Sequence, residues 1–197
     1  MLFRRYFFPT PIYVIDIPEA PSLNVQLEKD IMEWSQKDKG VQKTNIKGWH
    51  STTNMHQNPE YKPIVDQLFL AIHQIWEAEL LDRKPKLGNM WANINYPNAY
   101  NKSHVHPNSL FSGVYYVKSL PNSGKLILRD PRPGPQSILP VRKDMEKPPA
   151  LWSEVDMEPK AGRIIIFPSW LWHEVEPNKS NETRISISFN FIQEGFQ

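Results

Sequence analysis

Cysteine is absent from the 197 residues. That excludes disulfides, thiolate metal sites and a thiol nucleophile, and leaves His, Asp and Glu to supply any metal ligands. A charge excess of either sign is also missing: 23 basic against 21 acidic residues give a formal net charge of +2, and the basic residues are scattered. Nucleic-acid binding needs a concentrated cationic face, so no nucleic-acid partner is expected. No apolar run approaches the roughly 18 residues of a bilayer span, so no membrane partner is expected either. The N-terminal MLFRRYFFPTPIYVIDIP carries two arginines but no small-residue cleavage site. It reads as a pair of strands at the start of a soluble, cytoplasmic chain.

What is present is a globular composition, with 40% hydrophobic and 12% aromatic residues, seven of them tryptophan. A chain of this length can bury one core, and a single domain over 1–197 is expected. SLNVQLEKDIMEWSQKDKG predicts a helix capped by Ser22, with Leu27, Ile31 and Trp34 on one face and Gly40 as its stop. YKPIVDQLFLAIHQIWEAELL predicts a second, with Ile64, Leu68, Ile72 and Ile75 as its stripe and Pro85 beyond its end.

After Leu87 the period becomes two, in MWANINY, SLFSGVYYV, GKLILRD, WSEVDMEP, GRIIIFP, HEVEP and TRISISFNFIQE. Residues 1–87 thus supply N-terminal strands and supporting helices, and 88–197 a strand-rich core. The expected fold class is α+β, a double-stranded β-helix (jelly-roll, cupin-like) core buttressed by the helices. Segment 131–149 holds six of the nineteen prolines and reads as a long surface loop, a lid, a binding loop or a plain insertion.

In HVHPNSLFSGVYYV, His104 and His106 lie two apart in a strand and project from one face, so they could share an ion. Two half-exposed strand histidines also need no metal. His173 follows a buried strand and a Pro-Ser turn, and Arg184 lies eleven positions further on. Each alone has a structural reading, as a satisfied core histidine and a salt-bridged arginine. His50, His56 and His73 lie outside the strand region and read as structural or solvated. Trp170 and Trp172, flanking the turn before His173, are expected to line a cleft.

The succession HVH, SGVYYV, SGKLILRDP, GRIIIFPSWLWHEV and TRISISF resembles the iron(II) and 2-oxoglutarate-dependent oxygenases. The likeness is to the prolyl-hydroxylase branch, and within it to short oxygenases of marine bacteria and their phages. It covers about residues 90–191. It implies Fe(II), 2-oxoglutarate and O2 as cofactor and cosubstrates, and hydroxylation of a small-molecule or peptidyl substrate with release of succinate and CO2. His104 falls on the first iron-binding histidine, His173 on the distal one and Arg184 on the residue that pairs with the remote carboxylate of 2-oxoglutarate. Tyr116 falls where that branch supplies a hydroxyl to the same carboxylate, and Tyr96 on a tyrosine lining the site. Ser112 shares a strand face with Tyr116, and Ser188 and Asn190 share one with Arg184, so two facing strands could build one polar pocket.

His106 departs from the pattern, which places a carboxylate there. Three neutral imidazoles leave the full +2 charge on the ion, where the usual triad cancels one unit. Either His106 is the third ligand, or Asn108 or Asp130 approaches that position, or iron chemistry is lost. Two other functions use the same residues: a three-histidine cupin-like dioxygenase or zinc hydrolase without 2-oxoglutarate, and a non-catalytic jelly-roll binding module.

Overall fold

The structure is a computed structural model that describes residues 3, 5–133, 141, 143 and 148–195. Most of the proline-rich segment 131–149, expected as a loop, lies outside the described residues. Strands β1 (Tyr13–Asp16), β3 (Trp49–His50), β4 (Pro85–Asn95), β6 (Phe111–Lys118), β9 (Arg163–Pro168) and β11 (Arg184–Gln193) form a six-stranded sheet in the order β1-β9-β6-β11-β4-β3. Strands β2 (Asn45–Ile46), β5 (Tyr100–His104), β7 (Leu126–Arg129), β8 (Glu154–Met157) and β10 (His173–Val175) form a five-stranded sheet in the order β2-β5-β10-β7-β8. Every pairing between these strands is antiparallel.

The two faces of the larger sheet have opposite chemistry because side chains alternate along a strand. From β11, Ile185, Ile187, Phe189 and Phe191 join Tyr115, Ile164 and Ile166 in a core completed by Ile31 of α1 (Ala20–Lys37) and Ile64, Leu68 and Ile72 of α2 (Lys62–Ala78). The intervening residues face the smaller sheet. There Tyr116, Ile165 and Phe167 meet Leu126, Leu128 and Leu171 in a second apolar cluster. The polar residues of that same face remain for a cavity.

Several local expectations need correction. The N-terminal pair of strands is one strand, β1, among the described residues. Helix α1 starts at Ala20, with Glu19 at the N-cap and Pro21 in its first turn, where a missing N–H and a preset φ cost nothing. Ser22 therefore lies inside the helix, and its hydroxyl donates back to the Glu19 carbonyl at 3.0 Å. The helix ends at Lys37, before Gly40, whose φ of +69° belongs to the following turn. Pro85 opens β4, a position where the ladder needs no donor from it. No helix among the described residues is long and apolar enough to cross a membrane.

Candidate metal centre

His104 is the last residue of β5 and His173 the first of β10, and the two stand directly opposite in register. Cross-strand partners point to one side of a sheet, so register alone brings these imidazoles together. Their ring centroids are 4.3 Å apart. His106 lies beyond the end of β5, not within the strand as expected. Its backbone N–H donates to the Ser169 carbonyl at 3.0 Å, which folds the loop back. The His106 ring then lies 4.9 Å from His104 and 5.0 Å from His173. One ring nitrogen from each of the three falls within 4.8 Å of the others.

Tautomers follow from the neighbours. Nδ1 of His104 is 2.7 Å from the Lys102 carbonyl oxygen, and Nδ1 of His173 is 2.9 Å from that of Leu171. A carbonyl oxygen only accepts, so each Nδ1 carries the hydrogen and each Nε2 keeps its lone pair. Burial pushes all three imidazoles below the ordinary histidine range, His106 to about 4 and His173 to about 3, with the His104 charge adding to both. Neutral rings with a free nitrogen lone pair, Nε2 in His104 and His173, are the state a divalent cation requires. The donor set of three borderline nitrogens fits Fe(II) or its neighbours in the first row.

Arg184 opens β11 and is 1% exposed. Its Nη1 donates to the carbonyls of Ser123 and Gly124 at 3.0 and 2.7 Å, while Nε is buried without a partner among the described residues. Burial lowers its pKa, with Tyr116 opposing. Tyr116 is buried across from Ser186 on β6, and burial raises its phenol to about 12, so it stays a neutral hydroxyl. The three histidines, Arg184 and Tyr116 all line one cavity of about 310 Å³. A buried guanidinium with an orphaned N–H, beside a phenol, suits a carboxylate.

Strands β6 and β11 are neighbours in one sheet, not facing strands, and Ser186, Ser188 and Asn190 stand opposite Tyr116, Val114 and Ser112. Ser188 accepts from Asn93 Nδ2 at 3.1 Å, and Asn190 donates to Asn89 Oδ1 at 2.7 Å; both line the cavity. Ser112 does not line it and instead braces Asn190 with a 2.7 Å hydrogen bond. Tyr96 is 38% exposed and outside the lining. Trp170 and Trp172 are half exposed and also outside it. Asn108 is exposed in a turn at φ +62° and Asp130 is paired with Arg132, and neither lines the cavity or belongs to the three-histidine group. His73 is exposed on α2, whereas His50 is buried in β3 and lines the cavity, contrary to expectation. Sequence reasoning missed it because β3 is too short to show a period, and missed Asn93, on the long β4, because its cross-strand partners are set by register.

The protein-family model described as "Putative 2OG-Fe(II) oxygenase" matches residues 89–190, just over half of the chain. No curated protein matches. Among solved structures the chain is similar to a prolyl-4-hydroxylase from Pseudomonas putida, at 16% identity and TM-score 0.64 over 94% of each chain. It is also similar to a viral collagen prolyl hydroxylase from Paramecium bursaria Chlorella virus-1 solved with 2-oxoglutarate, at 15% identity and TM-score 0.59 over 91% of this chain and 94% of that one. A third is HygX from Streptomyces hygroscopicus, solved with nickel and 2-oxoglutarate, at 10% identity and TM-score 0.65 over 95% and 84%. At these identities the structural likeness establishes the shared fold, a double-stranded β-helix core. Taken with the family match across the segment that carries the three histidines and Arg184, it follows that the chain belongs to the 2OG-Fe(II) oxygenase family.

Proposed function

We propose that this oxygenase holds Fe(II) on His104, His106 and His173, seats the remote carboxylate of 2-oxoglutarate on Arg184 and Tyr116, and hydroxylates a small-molecule or peptidyl substrate. The observation that carries the reading is one cavity lined both by a convergent trio of neutral imidazoles and by a buried guanidinium with a free Nε. When bound, the iron supplies the oxidative chemistry: one O2 and one 2-oxoglutarate become CO2, succinate and a hydroxyl on the substrate carbon.

The chain's own residues do the positioning. The Lys102 and Leu171 carbonyls hold His104 and His173 in the ligating tautomer. Ser123 and Gly124 occupy Arg184 Nη1, which leaves the Nε edge for the cosubstrate. Tyr116 stays protonated and can donate to the same carboxylate. A three-histidine enzyme without 2-oxoglutarate has no use for a buried guanidinium, so this constellation favours the 2-oxoglutarate reading. The prolyl hydroxylases among the structural neighbours make a peptidyl substrate one of the classes to assay.

Anaerobic reconstitution tests the site. The parent is expected to bind one Fe(II) per chain, and His104→Ala or His173→Ala to lose it. Arg184→Ala is expected to keep iron while 2-oxoglutarate binding weakens by about 2–4 kcal/mol, read from the metal-to-ligand charge-transfer band. Stoichiometric iron in both histidine variants places the centre elsewhere.

A further inference from the structure

The same cavity is also lined by Lys43 ahead of β2, by His50 and by Asn93. His50 is 5% exposed, and its ring lies flat on Trp91, with centroids 5.4 Å and planes 9° apart. Its Nδ1 is 2.6 Å from the Ser51 carbonyl oxygen. That carbonyl takes the Nδ1 hydrogen, so Nε2 of the neutral ring is an acceptor. Burial, and to a lesser degree the Lys43 charge, lowers the pKa of His50 and keeps the ring neutral.

Asn93 is the cross-strand partner of His50 and is 6% exposed. Its Nδ2 is committed to Ser188, while its Oδ1 is buried with no partner among the described residues. A buried acceptor left unpaired is costly, and a ligand donor recovers that cost. The two paired residues therefore present one acceptor each to the cavity that both line. The Lys43 ammonium has no carboxylate within ion-pair distance among the described residues. No Asp or Glu is among the described residues lining the cavity. Its volume of about 310 Å³ lies at the lower end of the range for small-ligand sites, and it must also admit the cosubstrate.

From these features we infer that Lys43, His50 and Asn93 form the prime-substrate end of the cavity. The substrate is a small organic anion that presents an O–H or N–H donor to His50 Nε2 and Asn93 Oδ1 and its anionic group to Lys43. The inference rests on the proposed iron site in that both share this cavity.

The test measures 2-oxoglutarate decarboxylation by the iron-loaded enzyme. The probes are L-amino acids, their N-acetyl derivatives and L-2-hydroxy acids, each beside its carboxamide. At least one acid is expected to raise turnover above the rate without probe, and its carboxamide is not. Lys43→Ala is expected to raise KM for that acid at least tenfold, with Lys43→Arg restoring it. His50→Phe keeps a flat ring against Trp91 but lacks the acceptor, and the same rise is expected. Iron stoichiometry and 2-oxoglutarate affinity are expected to stay at parent values in these variants, which separates substrate recognition from damage to the metal centre. Stimulation by carboxamides as strong as by acids, stimulation by none of the acids, or a parent-like KM in Lys43→Ala and His50→Phe overturns the proposal. A failed iron site is a different observation that overturns both readings: the parent then gives no charge-transfer band before any probe is added.

Discussion

At position 106 an imidazole stands where the family pattern carries a carboxylate, and it is held differently from its two companions. Carbonyls fix the tautomers of His104 and His173, whereas the His106 ring has no hydrogen bond among the described residues and packs against Trp91 at 5.7 Å. Iron bound here would feel a weaker third ligand and no compensating charge. His106→Asp is therefore expected to hold Fe(II) at least as tightly as the parent, because it adds one negative charge beside the ion. His106→Ala is expected to weaken iron binding by more than about tenfold, since even supporting groups around a ligand are worth that much. Anaerobic Fe(II) titration of the three proteins checks both, and parent-like affinity in the alanine variant removes His106 from the site. His104, His106, His173 and Arg184 were singled out in the sequence because their succession resembles the family pattern, since each alone also has a structural reading. His50 and Asn93 were not, because their pairing arises from strand register, which no local pattern announces.

Among the elements, the short turn between β6 and β7 sets the orientation of Arg184. Gly124 sits there at φ +91°, and a Cβ on it would stand 2.3 Å from the Glu176 carbonyl oxygen and 3.1 Å from Arg184 Nη1. Both the backbone conformation and the space demand glycine. Gly124→Ala is expected to displace the two carbonyls that occupy Nη1, weakening 2-oxoglutarate binding by about 1–3 kcal/mol, the cost of losing hydrogen bonds to a buried charged group. Iron stoichiometry should be untouched, and parallel titrations of metal and cosubstrate separate the two effects. Strands were the readable elements: TRISISFNFIQE became β11 because alternation survives when one face is apolar and the other polar, and GRIIIFP became β9 as a short apolar run buried on both faces. Helix ends were less readable, since Pro21 and Ser22 compete for the start of α1 and only packing decides between them. The two-residue strands β2 and β3 carry no period at all.

Over the whole molecule, the α+β class followed from two amphipathic segments ahead of a run of alternating ones. The order of strands in the two sheets did not follow, because pairing partners far apart in the chain leave no mark in the spacing. That architecture has a thermodynamic side. Arg184 is among the largest fully buried side chains, and none of the described carboxylates forms an ion pair with it. A buried charge without its counter-ion destabilises the fold that contains it. Arg184→Met is therefore expected to melt at or above the temperature of the ligand-free parent, while adding 2-oxoglutarate to the metal-loaded proteins should raise the melting temperature of the parent more than that of the variant. Saturation to a hundred times Kd is worth about 2.7 kcal/mol by mass action. Thermal melts with and without cosubstrate measure both, and a methionine variant that melts well below the parent would show that the arginine supports the ligand-free fold. On the proposed reading the cosubstrate would complete the protein's interior as a counter-ion, and 2-oxoglutarate supply would then govern how long the folded enzyme persists as well as how fast it turns over.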